Sequence, residues 1–331
     1  MLPTSLETAL RSPVPDQPPG IAEFLVVAPG IYPALPAVGI VLAVLYTAGV
    51  VRMWRTGRRW PLGRTTAFLA GCAILVAVTG TATEGYGHAL LSVFMFQQLT
   101  LMLVVPPLLV IGSPGRLLLR ATPHRGLGLI AQRAALGGLR SRLGRALLHP
   151  ALTIPLFLLA FYGLYLGGLA DIFLATDAGH TVTELGFLAA GILFAVPILS
   201  PDPLPRQHSA FGRLVEMFAK TALHTAFGII LMLSAVPLVA VFTRAPTRWG
   251  IDPLYDQAIA GALVWTYAEL PSFVILIYLL NRWFRDSTRR DRAADKTADA
   301  AGDPDLTAYN DYLDSLNRRT AERPTPSTQG D

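Results

Sequence analysis

The chain has 331 residues, of which 52% are hydrophobic and only 15% charged, with a mean hydropathy of +0.47. A soluble domain carries roughly 25% charged residues, so this balance excludes an ordinary cytosolic enzyme and points to a polytopic membrane protein. The formal charge is +5, from 27 Lys and Arg against 22 Asp and Glu; the arginines lie in loops between apolar runs, where membrane topology accounts for them and nucleic acid is set aside as a partner.

Residues 1–33 read as a retained extracytoplasmic tail. Glu7, Asp16 and several prolines stand where a cleaved signal peptide would carry a basic region and an apolar core, and Phe24 to Tyr32 suits the membrane interface. Seven stretches then follow that can cross a hydrocarbon core of about 30 Å. They are Ala34–Trp54, Thr66–Ala82, Ala89–Ile111, Ala151–Ala170, Thr181–Leu199, Phe218–Phe242 and Gln257–Leu280. In lipid each must satisfy its own backbone hydrogen bonds, so the expected fold is all-α, a seven-helix transmembrane bundle over residues 34–284. The single cysteine, Cys72, excludes an internal disulfide and reads as a small buried hydrophobe. Pro106-Pro107 should bend the third span.

The loops fix a direction. Arg52, Arg55, Arg58, Arg59 and Arg64 lie in the first, and Arg116, Arg120, Arg125, Arg133, Arg140, Arg142 and Arg145 in the third. Arg206, Arg213 and Lys220 lie in the fifth, whereas Glu84, Asp171, Asp177, Asp252 and Asp256 mark the alternate side. The positive-inside rule then puts the N-terminus outside and the C-terminus in the cytoplasm, with the protein in the plasma membrane and lipid around it. The third loop is either an amphipathic helix, from Leu136, Leu139, Leu143 and Leu147, or a solvated basic loop. Residues 285–331 read as a charged cytoplasmic tail, largely disordered, with a short helix near 304–317. Its stripe of Leu306, Tyr309, Leu313 and Leu316 is suited to docking.

Polar residues inside spans are costly and ask for a reason. His180 and Glu184 stand four apart on one face of the fifth span, His224 lies in the sixth, and Glu269 stands near the middle of the seventh, two residues before Pro271. The third span holds Gln97 and Gln98 with Met95 and Met102 seven apart, and His88 stands just outside it. Imidazole with thioether suits copper, particularly Cu(I); interhelical hydrogen bonding is the alternative for the same residues. No catalytic elbow, zinc-protease pair or phosphate loop is present, so no enzymatic activity is expected.

Three segments carry a family resemblance: YGHALLSVFMFQQLTLMLVVPPLLVIGSPGRLLLR from Tyr86, GHTVTELGFLAAGILFAVPILSPDP from Gly179, and DQAIAGALVWTYAELP from Asp256. Together they resemble the CtaG-type cytochrome c oxidase assembly proteins over roughly Ala34 to Leu316. The resemblance implies a non-enzymatic seven-helix membrane protein that acts on cytochrome c oxidase subunits and helps supply copper. It matches His180, His224, Met95, Gln97, Asp256, Gln257, Trp265 and Glu269 to family positions, while Phe94, Gln98 and Gly186 stand where the family has histidine. The expected metal set is therefore degenerate: His180, His224, Met95, Glu184, Gln98 and His88, with Gln97, Asp256, Gln257 and Glu269 as a polar cluster. A transporter of copper or another small solute, and a metal-free structural partner of a respiratory complex, are the competing expectations.

Overall fold

Apolar runs of about twenty residues leave the backbone no partner but itself in a membrane, and the chain is helical throughout. The computed structural model describes residues 14–28, 33–123, 126, 128–130, 132–133, 137, 141–147, 149–199, 210–301 and 304–321. Among these there is no strand, only an isolated bridge between Val27 and Thr81. The proposed amphipathic stripe at Leu136, Leu139, Leu143 and Leu147 falls partly outside the described residues.

The helices are α1 (Ala34–Arg55), α2 (Leu62–Gly80), α3 (Ala82–Gly87), α4 (Leu91–Ala121), α5 (Leu152–Leu166), α6 (Asp177–Leu199), α7 (Ala210–Leu233), α8 (Pro253–Thr266), α9 (Glu269–Ala301) and α10 (Pro304–Ala321). Among the described residues, five runs are long and apolar enough to cross a membrane: α1, α2, α4, α6 and the run Pro253–Ala293 that α8 and α9 share. The fourth and sixth expected spans fall on shorter apolar helices, Leu152–Leu166 and Thr221–Leu233.

Each difference from the expected spans has a local cause. The fourth span stops at Leu166 because Gly167-Gly168 follows, and Gly168 turns into the left-handed region at φ 71°. The sixth ends at Leu233 instead of Phe242: Ser234 Oγ takes the amide of Val236, and Pro237 has no amide to donate. Chain beyond it runs into a 3-10 turn, Ala240–Arg244. In α4 a π-helical turn, Thr100–Val104, lies just before Pro106-Pro107, whose missing amides interrupt the regular ladder. At the far end of that span Ser113 takes φ 54° ahead of Pro114.

The chain divides into two compact units, Met1–Leu276 and Ile277–Asp331. In the first, α4 is the central helix, with Phe94, Met95, Gln97, Gln98, Leu99 and Leu101 fully buried. Gly191 lets α6 lie against the π turn: a Cβ there would stand 2.4 Å from the Met102 carbonyl oxygen. Gly228 and Gly261 let α7 and α8 touch backbone to backbone, since a Cβ at Gly261 would meet Gly228 O at 2.6 Å. Small residues at crossings are how membrane helices pack closely. In the second unit, helix continues to Ala301 where the tail composition suggests disorder; alanine, arginine and lysine are strong helix formers. The short helix expected near 304–317 is α10, extending to Ala321.

Candidate metal centre

One end of the first unit gathers most of the buried ionisable groups. α2 stops at Gly80 because Thr81 is extended (φ −114°, ψ −178°), and the chain re-enters a short helix, α3. That turn is strapped from outside by residues 16–27. Ala82 N donates to Val26 O at 2.7 Å, Tyr86 Oη to Gln17 O at 3.0 Å, and Trp249 Nε1 to Asp16 O at 3.3 Å. Arg248 holds the same strap through Asp16 Oδ1 at 3.0 Å. α3 thereby presents Glu84 inward, with His88 four residues on.

α4 begins three residues later, and its first turn is capped from far along the chain. The Asp256 carboxylate, on α8, accepts from Leu91 N at 2.7 Å and Ser92 N at 3.3 Å, and from the Ser92 hydroxyl. A carboxylate at a helix N-terminus satisfies orphan amides and complements the helix dipole. This anchoring sets the register that carries Gln97 inward.

The cluster itself is built from two mirrored pairs. Glu84 Oε1 stands 3.7 Å from His88 Nε2, and Glu184 Oε1 stands 3.8 Å from His180 Nε2. The pairs meet: His180 Nε2 is also 3.8 Å from Glu84 Oε1, and the two imidazoles stack at 3.8 Å between centroids. Glu84, His88 and His180 each offer a ligand atom within 4.8 Å of the others. Phe94 closes one side, its ring 4.9 Å from that of His180. Asp177 Oδ1 lies 3.8 Å from the other nitrogen of His88.

Gln97 ties the carboxylates together. Its amide nitrogen reaches Val78 O at 2.9 Å, Glu84 Oε2 at 3.0 Å and Glu184 Oε1 at 3.4 Å. The amide oxygen lies against Gly87, where a Cβ would come within 1.9 Å of it. Within this cluster, Gln97 Oε1 and His180 Nε2 are buried with no hydrogen-bond partner among the described residues. Among the described residues no lysine or arginine pairs with Glu84 or Glu184. Buried carboxylates need compensation, and here that falls to the imidazoles or to a bound cation.

Among the other expected site residues, Gln98, Gln257, His224 and Glu269 make contacts of their own. Gln98 accepts from the Tyr165 hydroxyl and donates to Ala160 O at 3.2 Å, an interhelical tie to α5. Met95 is fully buried on α4. Gln257 pins the turn after α7, accepting from Leu238 N at 2.8 Å and donating to Val236 O at 3.2 Å. His224 Nε2 and Glu269 Oε1 form a separate pair at 3.4 Å, with Thr225 Oγ1 donating to the same oxygen at 2.9 Å. Glu84, which sequence reading treats only as an outer acidic marker, is the central carboxylate. Its four-residue spacing to His88, repeated in reverse by His180 and Glu184, is the signal that identifies it.

Residues 44–286 match the model of the cytochrome c oxidase caa3 assembly factor family, Caa3_CtaG. Uncharacterized proteins of Mycobacterium bovis and Mycobacterium tuberculosis are each 36% identical to this chain over 306 residues, and one of Mycobacterium leprae is 36% identical over 311. Each alignment covers 91% of this chain and 46% of the relative, so the chain spans about half the length of these proteins. No solved structure matches.

Proposed function

The chain belongs to the Caa3_CtaG family of cytochrome c oxidase assembly factors, and from that premise we propose that it is a plasma-membrane protein that handles copper for a haem-copper oxidase. The cluster of Glu84, His88 and His180 is the station for the ion. Copper here is cargo passed toward the oxidase subunits, and the role needs no bond-making chemistry from the protein.

The observation that carries this reading is the meeting of two carboxylates and two imidazoles with no lysine or arginine paired to the carboxylates among the described residues, and with His180 Nε2 buried without a hydrogen bond there. Nitrogen and oxygen donors of this kind are how proteins hold first-row transition metals. In this reading α5 and α7 also cross the membrane, giving seven spans. The arginine-rich loops then face the cytoplasm and the cluster lies toward the outer side.

Deletion of the gene should lower oxidase activity and the copper content of the purified oxidase, with added copper restoring part of both. An oxidase fully metallated without this protein would remove the copper-delivery role.

A further inference from the structure

The link between this cluster and copper rests on the reading above, but its donor set and charge carry a statement of their own. We propose that the site takes its ion in the divalent state, as Cu2+ or Zn2+, and discriminates against Cu+. Glu84, His88 and His180 are the ligands, and Glu184 supplies a second negative charge beside them.

Three observations converge on that choice. The first is the donors. They are carboxylate oxygens and imidazole nitrogens, and the chain's one cysteine, Cys72, is not among them. Cu+ is selected by thiolate and thioether sulfur, whereas this mixture suits borderline divalent ions.

The second is spacing. Between the proposed ligands the N···O separations, 3.7 Å for His88 and 3.8 Å for His180 to Glu84 Oε1, are too long for hydrogen bonds. They lie a few tenths of an ångström above the roughly 3.4 Å edge of a tetrahedron with ~2.1 Å metal bonds. An ion between the groups satisfies the open His180 Nε2 without rebuilding the helices. Asp177, on the other nitrogen of His88, is placed as an orienting carboxylate behind a ligand. It is also the first residue of α6, where the helix dipole favours its charge.

The third is charge. Glu84 and Glu184 place two carboxylates at the ion, which displaces their protons as it binds, and neutral imidazoles bring no charge. A divalent ion leaves the site neutral, while Cu+ leaves one charge uncompensated.

The test uses the full chain in lipid nanodiscs, titrated with Cu2+, with Zn2+, and anaerobically with Cu+ held reduced by ascorbate, against a chromophoric chelator. The expected result is one equivalent of Cu2+, competition from Zn2+ for the same ligands, and Cu+ binding at least about 100-fold weaker. Glu84→Gln and His180→Ala abolish the divalent binding; Met95→Leu and His224→Phe leave it within about threefold. Glu184→Gln, folded by its melting curve, narrows the gap between Cu2+ and Cu+, an effect that a merely structural role for this carboxyl would not produce. Cu+ bound as tightly as Cu2+, or divalent binding that survives Glu84→Gln, overturns the proposal. The two readings fail separately: a fully metallated oxidase in a deletion strain removes copper delivery and leaves the divalent site standing. Tight Cu+ binding beside an oxidase defect does the reverse.

Discussion

Two regions of this protein bring a histidine against a glutamate inside apolar helices, and they are built differently. At the strapped end, His180 is 1% exposed in its side chain and faces two carboxylates and a second imidazole, Glu184 from its own helix and Glu84 and His88 from the α3 turn. Near the junction of α7 with α9, His224 meets one carboxylate, Glu269, which is 39% exposed and takes a hydroxyl from Thr225. The second pair is explained as an interhelical polar contact. The first brings four ionisable groups together, with the Gln97 amide bonded to both carboxylates. A histidine in a span is thus a weak sign of function, and the convergence of several ionisable groups on it is a stronger one.

Substitutions can break or sharpen that contrast. The largest effect belongs to His180→Ala, which should lower Cu2+ affinity by more than the roughly 10–100-fold that losing a group behind a ligand costs; His224→Ala, titrated in parallel, should leave it nearly unchanged. Equal losses in the two variants would erase the distinction between the regions. Next comes Asp256→Asn, which trades a charged cap on Leu91 and Ser92 for a neutral one and should cost about 1.5–3 kcal/mol of stability. Thermal unfolding followed by circular dichroism measures it, with ion affinity falling in step because α4 carries Gln97. Gly87→Ala should displace the Gln97 amide and weaken binding by about tenfold with the fold retained. The smallest effect is expected at Glu269→Gln: about 1 kcal/mol or less in stability and no change in ion affinity. A tenfold affinity loss there would mean that the two regions communicate.

Much of the helical plan was legible because hydropathy measures what each segment loses by leaving lipid. The apolar runs from Ala34, Thr66, Ala89, Thr181 and Gln257 all coincide with long helices. Hydropathy does not register whether the backbone can continue, so the stops at Gly168 and near Pro237 were invisible to it. His180 and Glu184 were readable as a pair, since four residues along a helix return to one face. Glu84 was hidden by its apparent place in a loop, and its meeting with His180 spans nearly a hundred residues that no local spacing encodes. Gln98 and Phe94 show the same limit. Both stand where the resembled family has histidine, yet one ties α4 to α5 and the other packs on the ring of His180.

The clamp of Asp256 on the first turn of α4 reaches across 165 residues of intervening chain. Translation proceeds at about 5–20 residues per second, so a nascent α4 waits roughly 8–30 s in the bilayer for its capping carboxylate. For the latter part of that interval, once His180 and Glu184 have been made, every ligand of the centre is present, yet the register that aims Gln97 between the two glutamates is not yet fixed. Copies stalled before residue 256 therefore hold metal more weakly, and full loading is deferred until biogenesis is nearly complete.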